Sequence, residues 1–585
     1  MDFVSQGMMI PTVGAENEAA AAGLMHPALK FYAPLQTDLE PQIGIGPATF
    51  TRASAQYVAD HEGVLRKLDV DEPGFTGGRR VKNELQYSND FSQTYWSKFA
   101  AGTLTDNGDG TWNWSADGVN RADLYLGSTT RLDIDAGEEL ILSGYFKDYV
   151  GDAGVYIIAS YYAGGAWKGQ NLLAIDSKLT SDYQWIQLVG QPWNIDPTID
   201  EVSFILRIDN NGTTTTSVDF KDFQLERISG QSNTAASEYI PTTTAAVSKW
   251  FNTTNGNTVS NNIVTEAAGT ALTGTKGFKT HPFPKNEVTW SRDLTDVSWV
   301  KSNMTVAKDA TGMDGVVNSA SSLTATANGA TCIHSLTLTS AERTASATIR
   351  RKTGAGTIEF TDNGGATWTD ITANVDSNAL TVNSYRAAIT ATQTNPAIGF
   401  RLGTSGDAIE VDFCCIAPGK AGYIFIETTG TAVTENDAVG VFDAANAKVN
   451  DISGAMTISS KRLHDAQGLF GFAIDSNNGL SMYVSGARIR LRKKIAGANY
   501  ESSIPVPSNT DEMRITWKIS SVDGVVLFVN GTKADILSTN TGDLQGAIIQ
   551  VNVGKGGDLS WLANVNIKEF QLWHADMPDS FLQTA

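Results

Sequence analysis

Two stretches of this chain repeat each other, and the repeat constrains the fold more than any other feature. KNELQYSNDFSQTYWSK (82–98) aligns without a gap on KNEVTWSRDLTDVSWVK (285–301). Seven positions are identical: Lys82/Lys285, Asn83/Asn286, Glu84/Glu287, Ser88/Ser291, Asp90/Asp293, Trp96/Trp299 and Lys98/Lys301. Ordinary residue usage would give about one identity in such a window. The order continues downstream, where FILR (204–207) precedes Val218-Asp219-Phe220 as Phe400-Arg401-Leu402 precedes Val411-Asp412-Phe413. Two homologous units are therefore expected over 83–245 and 286–428, each long enough to bury its own core. Trp96, kept in both, reads as a core residue.

The units read as strands. ELILSGYFK (139–147), YQWIQLVG (183–190), VSFILRID (202–209) and VDFKDFQLE (218–226) are short, rich in β-branched and aromatic residues, and bounded by turns. DNGDG (106–110), DNNG (209–212) and Asn530-Gly531 supply the positive φ that tight hairpins need. Strands at this spacing, without helical periodicity between them, predict an all-β chain of tandem jelly-roll or β-sandwich domains. Residues 429–585 have their own strand rhythm in MRITWKI (513–519), VVLFVNGTK (525–533), AIIQVNVG (547–554) and VNIKEFQLW (565–573), which predicts a third sandwich. The polar 246–285 reads as a linker or an extended strand, and 46–82 as a lead-in. Residues 1–45, with the Ala19 to Ala22 run and Pro27, Pro34 and Pro41, read as a mostly irregular attachment segment ordered against a partner.

Charge and cysteine content narrow the function classes. Lys and Arg number 43 against 63 Asp and Glu, a formal net charge of -20. Such a chain does not gather nucleic acid by general electrostatics, and it repels anionic membranes. No run of about 18 apolar residues is present, so no membrane insertion is expected. The start, MDFVSQGMMIPTVGAENEAAAAG, has neither a basic region nor an apolar core and does not read as a secretory signal. Cys332, Cys414 and Cys415 form no CxxC pair, and adjacent strand residues point to opposite faces, so no shared metal is expected. Three thiols in 585 residues fit assembly in a reducing cytoplasm.

Asn83-Glu84-Leu85-x-x-Ser88-x-Asp90-Phe91, followed by Trp96, resembles the opening of jelly-roll modules common in phage tail and virion proteins. VDFKDFQLE (218–226) with the later Glu238-Tyr239-Ile240-Pro241-Thr242 is similar to their closing strand and tail, and Thr49-Phe50-Thr51-Arg52-Ala53 with Asp71-Glu72-Pro73 to their lead-in. These modules in turn resemble carbohydrate-binding jelly rolls. In the second unit Val411-Asp412-Phe413 runs into two cysteines instead of the usual closing pattern. The last third, through WKISSVDGVVLFVNGTK (517–533) and IKEFQLWHADMPDSFL (567–582), resembles a laminin-G or concanavalin-type sandwich. The resemblance implies a virion structural component, of the kind commonly trimeric, that docks on other virion proteins.

Catalytic motifs are missing. Concanavalin-type glycosidases carry Glu-x-Asp-x-x-Glu on one strand, and the nearest string, Glu435-x-Asp437-x-x-Gly440, lacks the acid. Gly-x-Ser-x-Gly and His-Glu-x-x-His do not occur, and Gly269 to Thr275 lacks the P-loop lysine. The six histidines are scattered and DNGDG is not a calcium hand, so no cofactor or metal is expected. Thr361 to Trp368 (TDNGGATW) resembles an Asp-box hairpin with Asn363 in the Asp place, a turn with a packed Trp.

A sugar site needs an aromatic platform beside polar groups, because a pyranose has an apolar face and a polar rim. Among the many aromatics of the first unit, Tyr161, Tyr162 and Trp167 sit in a Gly-rich stretch, YYAGGAWKG, and are the candidates for an exposed platform. ARIRLRKKI (487–495) places Arg488, Arg490 and Arg492 on one strand face. That face suits an anionic polysaccharide or an acidic subunit; the competing reading is a solvated face paired with local carboxylates. The expectation is a non-enzymatic bacteriophage virion protein, a tail fibre or adhesin component displaying lectin-like domains to host-surface polysaccharide. A capsid head fibre or decoration protein, a polysaccharide depolymerase spike and a cellular adhesin are the alternatives.

Overall fold

The predicted turns appear where Gly and Asn permit them. Asn530 and Gly531, at φ 49° and 74°, join Gly524–Val529 to Thr532–Lys533. Gly108 and Gly110, at φ 80° and 83°, turn Thr103–Asp106 into Trp112–Ala116. Among the described residues nearly all regular structure between such turns is strand. The computed structural model describes residues 29–43, 49–100, 102–280, 285–419, 425–435, 440–447, 451–459, 467–475, 478–507, 512–537, 548–553, 566–573 and 575–584. The Ala19 to Ala22 run lies outside them.

The two repeats are the same sandwich. In the first, one sheet runs Trp96–Ala100, Ala122–Leu126, Glu201–Ile208, Val155–Ala163, Ala166–Ala174. Its counterpart runs Trp299–Ser302, Ala330–Ser335, Ala397–Leu402, Ile358–Thr361, Thr369–Asp370. The opposing sheets match as well: Thr103–Asp106, Trp112–Ala116, Thr216–Arg227, Leu140–Val150, Gln184–Gly190 against Met304–Ala310, Ala320–Ala325, Ala408–Pro418, Ala341–Thr353, Arg386–Gln393. Phe91, Trp96, Phe204, Phe220 and Phe223 fill the first core; Leu294, Trp299, Phe360 and Phe400 fill the second.

The identical residues explain why the folds agree. The Asn83 amide donates to the carbonyls of Phe223 and Ile240 (3.1 and 2.9 Å) and accepts from the N–H groups of Leu85 and Leu225. Asn286 makes the same bonds to Cys414, Ile426, Val288 and Ile416. Ser88 and Thr242 exchange bonds as Ser291 and Thr428 do. The Trp96 and Trp299 indoles donate to Tyr87 and Trp290, both at positive φ. These bonds set a register two residues away from the one that pairs Val218-Asp219-Phe220 with Val411-Asp412-Phe413. Phe220 matches Val411, and Asp222 (φ 56°) matches Phe413 (φ 45°). The tail after the closing strand has its counterpart in Ile426-Glu427-Thr428-Thr429, which matches Ile240-Pro241-Thr242-Thr243, while Cys414 and Cys415 stand where Phe223 and Gln224 stand.

Residues 429–585 form two eight-stranded sheets around a common core that includes Met456, Phe470, Leu491, Trp517 and Phe570. They do so only with strands from elsewhere in the chain. Leu29–Ala33 pairs with Asn566–Trp573, so the stretch expected to be irregular is, from Leu29, part of this sheet. Phe31, Ala33, Leu35 and Leu39 enter its core. The lead-in contributes Thr49–Phe50, against Gly440–Ala447, and Phe75–Thr76.

Of the two readings of 246–285, linker or extended strand, the described residues 246–280 follow the second. Val247–Phe251 pairs with Arg79–Asn83, and Thr258–Ser260 with Ile263–Thr265 adds a hairpin to the edge of the first sandwich beside Gln184–Gly190. Gly277–Lys279 bridges Phe75–Thr76 and Asn566–Trp573. Phe75 packs on Trp250 and Phe278, ring centroids 6.0 Å apart in each case.

The hairpin Gln56–Ala59 with Leu65–Leu68 joins the two repeats. Leu65 N–H donates to Met313 and Val382 N–H to Gly63, tying the hairpin to the second sandwich. Arg66 Nη1 donates to the Ser229 carbonyl (2.6 Å) of the first. Tyr57 stacks edge-on against Phe413 and donates to Glu427 (2.7 Å).

Candidate functional site

The candidate platform divides between the inside and the outside of the first sandwich. Tyr161 is fully buried, its hydroxyl donating to Asn171 Oδ1 (2.8 Å) and pushed up in pKa by burial. A bulge explains this: Tyr161 pairs with Gly169 but Tyr162 with Trp167, so the register shifts between two neighbouring tyrosines. Tyr161 is thereby removed from the expected platform. Tyr162 stays half-buried under the Arg131 guanidinium, 3.4 Å from its ring centroid, and Arg131 is held by Glu201 at 3.1 Å. Trp167 remains 60% exposed, and its indole N–H donates to Ser160 Oγ (3.1 Å). The turn beside it is open, since a Cβ on Gly164 or Gly165 would meet nothing within 4 Å.

Trp167 borders a sheet face that sequence reasoning missed. Ser97, Tyr125, Ile205, Ile158 and Leu172 form one cross-strand row over five strands. Phe99, Asp123, Arg207, Tyr156 and Ala174 form the next, and Ser203, Ser160 and Gln170 lie on the other side. Their strand neighbours Leu124, Ile157, Phe204 and Leu206 point into the core, so these rows face outward. Phe99 and Leu172 are 46% and 51% exposed. Arg207 grips Asp123 through Nε (2.8 Å) and Nη2 (3.2 Å), and Arg121 lies over Phe99 at 5.0 Å. Ile158 and Ile205 at its centre are covered, 1% and 6% exposed, so what the face offers a sugar ring is its exposed border of Trp167, Leu172 and Phe99 beside a polar corner. Its signal was present in VYIIASYYA: a strand apolar on both faces carries more hydrophobic surface than one core requires.

The arginine strand keeps the alternation expected of it, with Ile489 and Leu491 buried and Arg488, Arg490 and Arg492 half-buried on the other face. Local partners engage that face. Arg488 pairs with Asp535 (2.7 Å), Arg490 with Glu501 (3.0 Å), and Arg492 lies 5.2 Å over the Tyr483 ring. Tyr483 in turn donates to Glu501 (2.6 Å). The paired-face reading therefore describes these arginines, and a ligand would have to compete with carboxylates already in place.

The Asp-box-like hairpin is a turn. Asn363 Oδ1 accepts from Thr361 Oγ1 and Thr367 N–H (both 2.9 Å), and Arg401 lies 4.9 Å over Trp368. It sits where YYAGGAW sits in the first repeat, between the strands matching Val155–Ala163 and Ala166–Ala174. Glu435 is buried, and burial pushes its carboxyl up to about 8, with the Arg52 guanidinium opposing. Asp437 lies outside the described residues. Among the described residues no group of three or more His, Cys, Asp or Glu side chains could hold a metal, and no helix is long and apolar enough to cross a membrane. All three cysteines are buried and free.

No family model and no curated protein matches the sequence. Several solved structures overlap a quarter of it. Domain 4 of a GH43 extracellular arabinanase from Geobacillus stearothermophilus, in complex with arabinotriose, is 15% identical over 25% of this chain and 71% of its own, with a TM-score of 0.22. The binding domain of botulinum neurotoxin DC, in complex with rat synaptotagmin II, is 10% identical over 25% of this chain and 39% of its own, also at 0.22. A botulinum neurotoxin type C structure, described by its dependence on two ganglioside molecules for cell entry, is 8% identical over the same shares at 0.22. These neighbours are carbohydrate-binding and receptor-binding proteins, but partial overlaps of this size carry neither ligand nor mechanism to this chain.

Proposed function

We propose that this chain is a non-catalytic adhesive component of a bacteriophage virion, of the tail-fibre type, which holds host-surface polysaccharide on the outward sheet face of its first sandwich. The observation that carries the reading is Trp167, 60% exposed yet fixed by its indole N–H at the border of an aliphatic and aromatic face. A soluble protein ordinarily buries such a ring, and a fixed one loses little entropy on binding. The phage assignment rests on the resemblance of 83–98 and its repeat to virion jelly-roll modules. Docking on other virion proteins is assigned to the N-terminal segment, assembly to a trimer, and assembly of the particle to the host cytoplasm.

The test is binding of the full chain to purified host capsule and lipopolysaccharide, with Trp167→Ala beside it. Loss of about one aromatic stacking contact weakens binding roughly tenfold. The melting temperature stays unchanged because the ring is largely outside the core. Equal binding by both proteins rejects the sheet face. Reducing sugar released during the assay would make the protein a depolymerase. Gold-labelled antibody against residues 429–585 places the protein on the particle: label on tail projections supports the fibre reading, and label over the capsid makes it a head fibre or decoration protein.

A further inference from the structure

Between the two repeats and the hairpin that joins them lies a cleft of about 570 Å³, well within the ~300–1,000 Å³ typical of small-ligand sites. None of the outward sheet-face rows lines it. Its walls are held by direct backbone contact, Val317 N–H donating to the Gly137 carbonyl at 3.1 Å, so the space is fixed by the fold.

We propose that this cleft is a second binding site, for a short uncharged oligosaccharide. Seven basic and seven acidic side chains line it, so a polyanion or a polycation would meet as much repulsion as attraction. Most of these charges are committed to one another: Arg227 to Glu84 and Glu138, Lys82 to Asp69 and Glu84, Arg292 to Asp314. Arg66 is spent as well, Nε on Asp60 and Nη1 on Ser229, and its Nη2 is buried away from the open space. Two carboxylates remain for a ligand. Asp133 and Asp135, both exposed, have no ion-pair partner among the described residues and offer acceptors for sugar hydroxyls. Trp193, half-buried in the short turn Pro192–Asn194, borders the cleft and supplies the apolar face on which a pyranose stacks. A platform and acceptors therefore line one cleft of mixed polarity, with Leu65, Leu68 and Ile134 among its buried walls.

The full chain is titrated calorimetrically with maltotriose, cellotriose, chitotriose and, as an acidic control, trigalacturonic acid. At least one neutral trisaccharide is expected to bind in preference to the acidic one. Trp193→Ala should weaken it about tenfold and Ala136→Trp, which places a bulky ring in the cleft, should weaken it at least as much. The titrations are repeated in the Trp167→Ala background, where the sheet-face site is weakened, and the loss caused by Trp193→Ala should persist there, so that failure of the sheet-face site and failure of the cleft read out separately. Two variants guard against a fold defect, and their melting curves report one directly. Absence of binding by every neutral trisaccharide, preference for the acidic one, or binding indifferent to both cleft variants overturns the proposal.

Discussion

One buried asparagine decides where each repeat closes. Asn83 and Asn286 each spend both amide protons and both acceptor positions on backbone groups of their own opening segment, the closing strand and the tail. Alanine at either site leaves buried carbonyls and N–H groups without partners. Asn286→Ala is therefore expected to destabilise the second sandwich by about 3 kcal/mol. Hydrogen exchange would show it as lost protection at Val288 and Ile416, with Leu85 and Leu225 unchanged. Equal loss in both repeats would mean that the bond acts through the whole molecule. At this scale the sequence was informative wherever a side chain plays a single part, and the shared Asn, Ser and Trp were visible as identities. It misled where one motif serves two purposes. Val-Asp-Phe occurs in both repeats, but Phe220 fills a core and Phe413 sits at positive φ against Tyr57. Tyr161 and Tyr162 are chemically alike and adjacent, and only a bulge, which leaves no mark in composition, sends one inward.

At the scale of elements, periodicity made the long strands legible and the short ones invisible. Leu140–Val150 and Glu512–Ser520 announce themselves by β-branched and aromatic content. Thr49–Phe50, Phe75–Thr76 and Gly277–Lys279 have two or three residues each, too few for any period, and their partners are far along the chain. The polar surroundings then read as lead-in and linker. Leu29–Ala33 was obscured by prolines on both sides, although LKFYA is itself an apolar strand. This strand gives a direct test of the corrected boundary. Deleting residues 1–45 removes Phe31 and Leu35 from the core around Met456 and Phe570, and two buried side chains of that size contribute about 3–6 kcal/mol. The truncated chain is expected to melt its C-terminal sandwich early in calorimetry while the repeats keep their transition. Unchanged melting would restore the reading of 1–45 as an attachment segment alone.

The whole molecule is interlocked in a way that its fold class does not imply. Gly- and Asn-rich turns between short apolar runs were enough to read an all-β chain of sandwiches, because local turn chemistry is written in the residues that make it. How the sandwiches hold one another depends on contacts between distant surfaces, for which one sequence has no signal. The first described strand and Asn566–Trp573 are hydrogen-bonded neighbours, so the chain from Leu29 is tied into its own last third before the repeats begin. The repeats meet backbone to backbone. A Cβ built on Gly137 would lie 1.9 Å from the Val317 carbonyl oxygen, closer than any real contact. Gly137 has no left-handed φ to forbid a side chain, so Gly137→Ala tests close approach without adding backbone strain. Either the two sandwiches part or the loops around Gly137 and Val317 give way. The hairpin bonds at Leu65 and Arg66 act at other points of the same interface and resist a rigid separation. The expected outcome is local: loss of exchange protection at Val317, a wider cleft detectable as an altered trisaccharide titration, and a radius of gyration unchanged in small-angle scattering. A larger radius with both sandwiches still folded would instead show that this single backbone contact holds the repeats together, and that the hairpin follows them rather than fixing them.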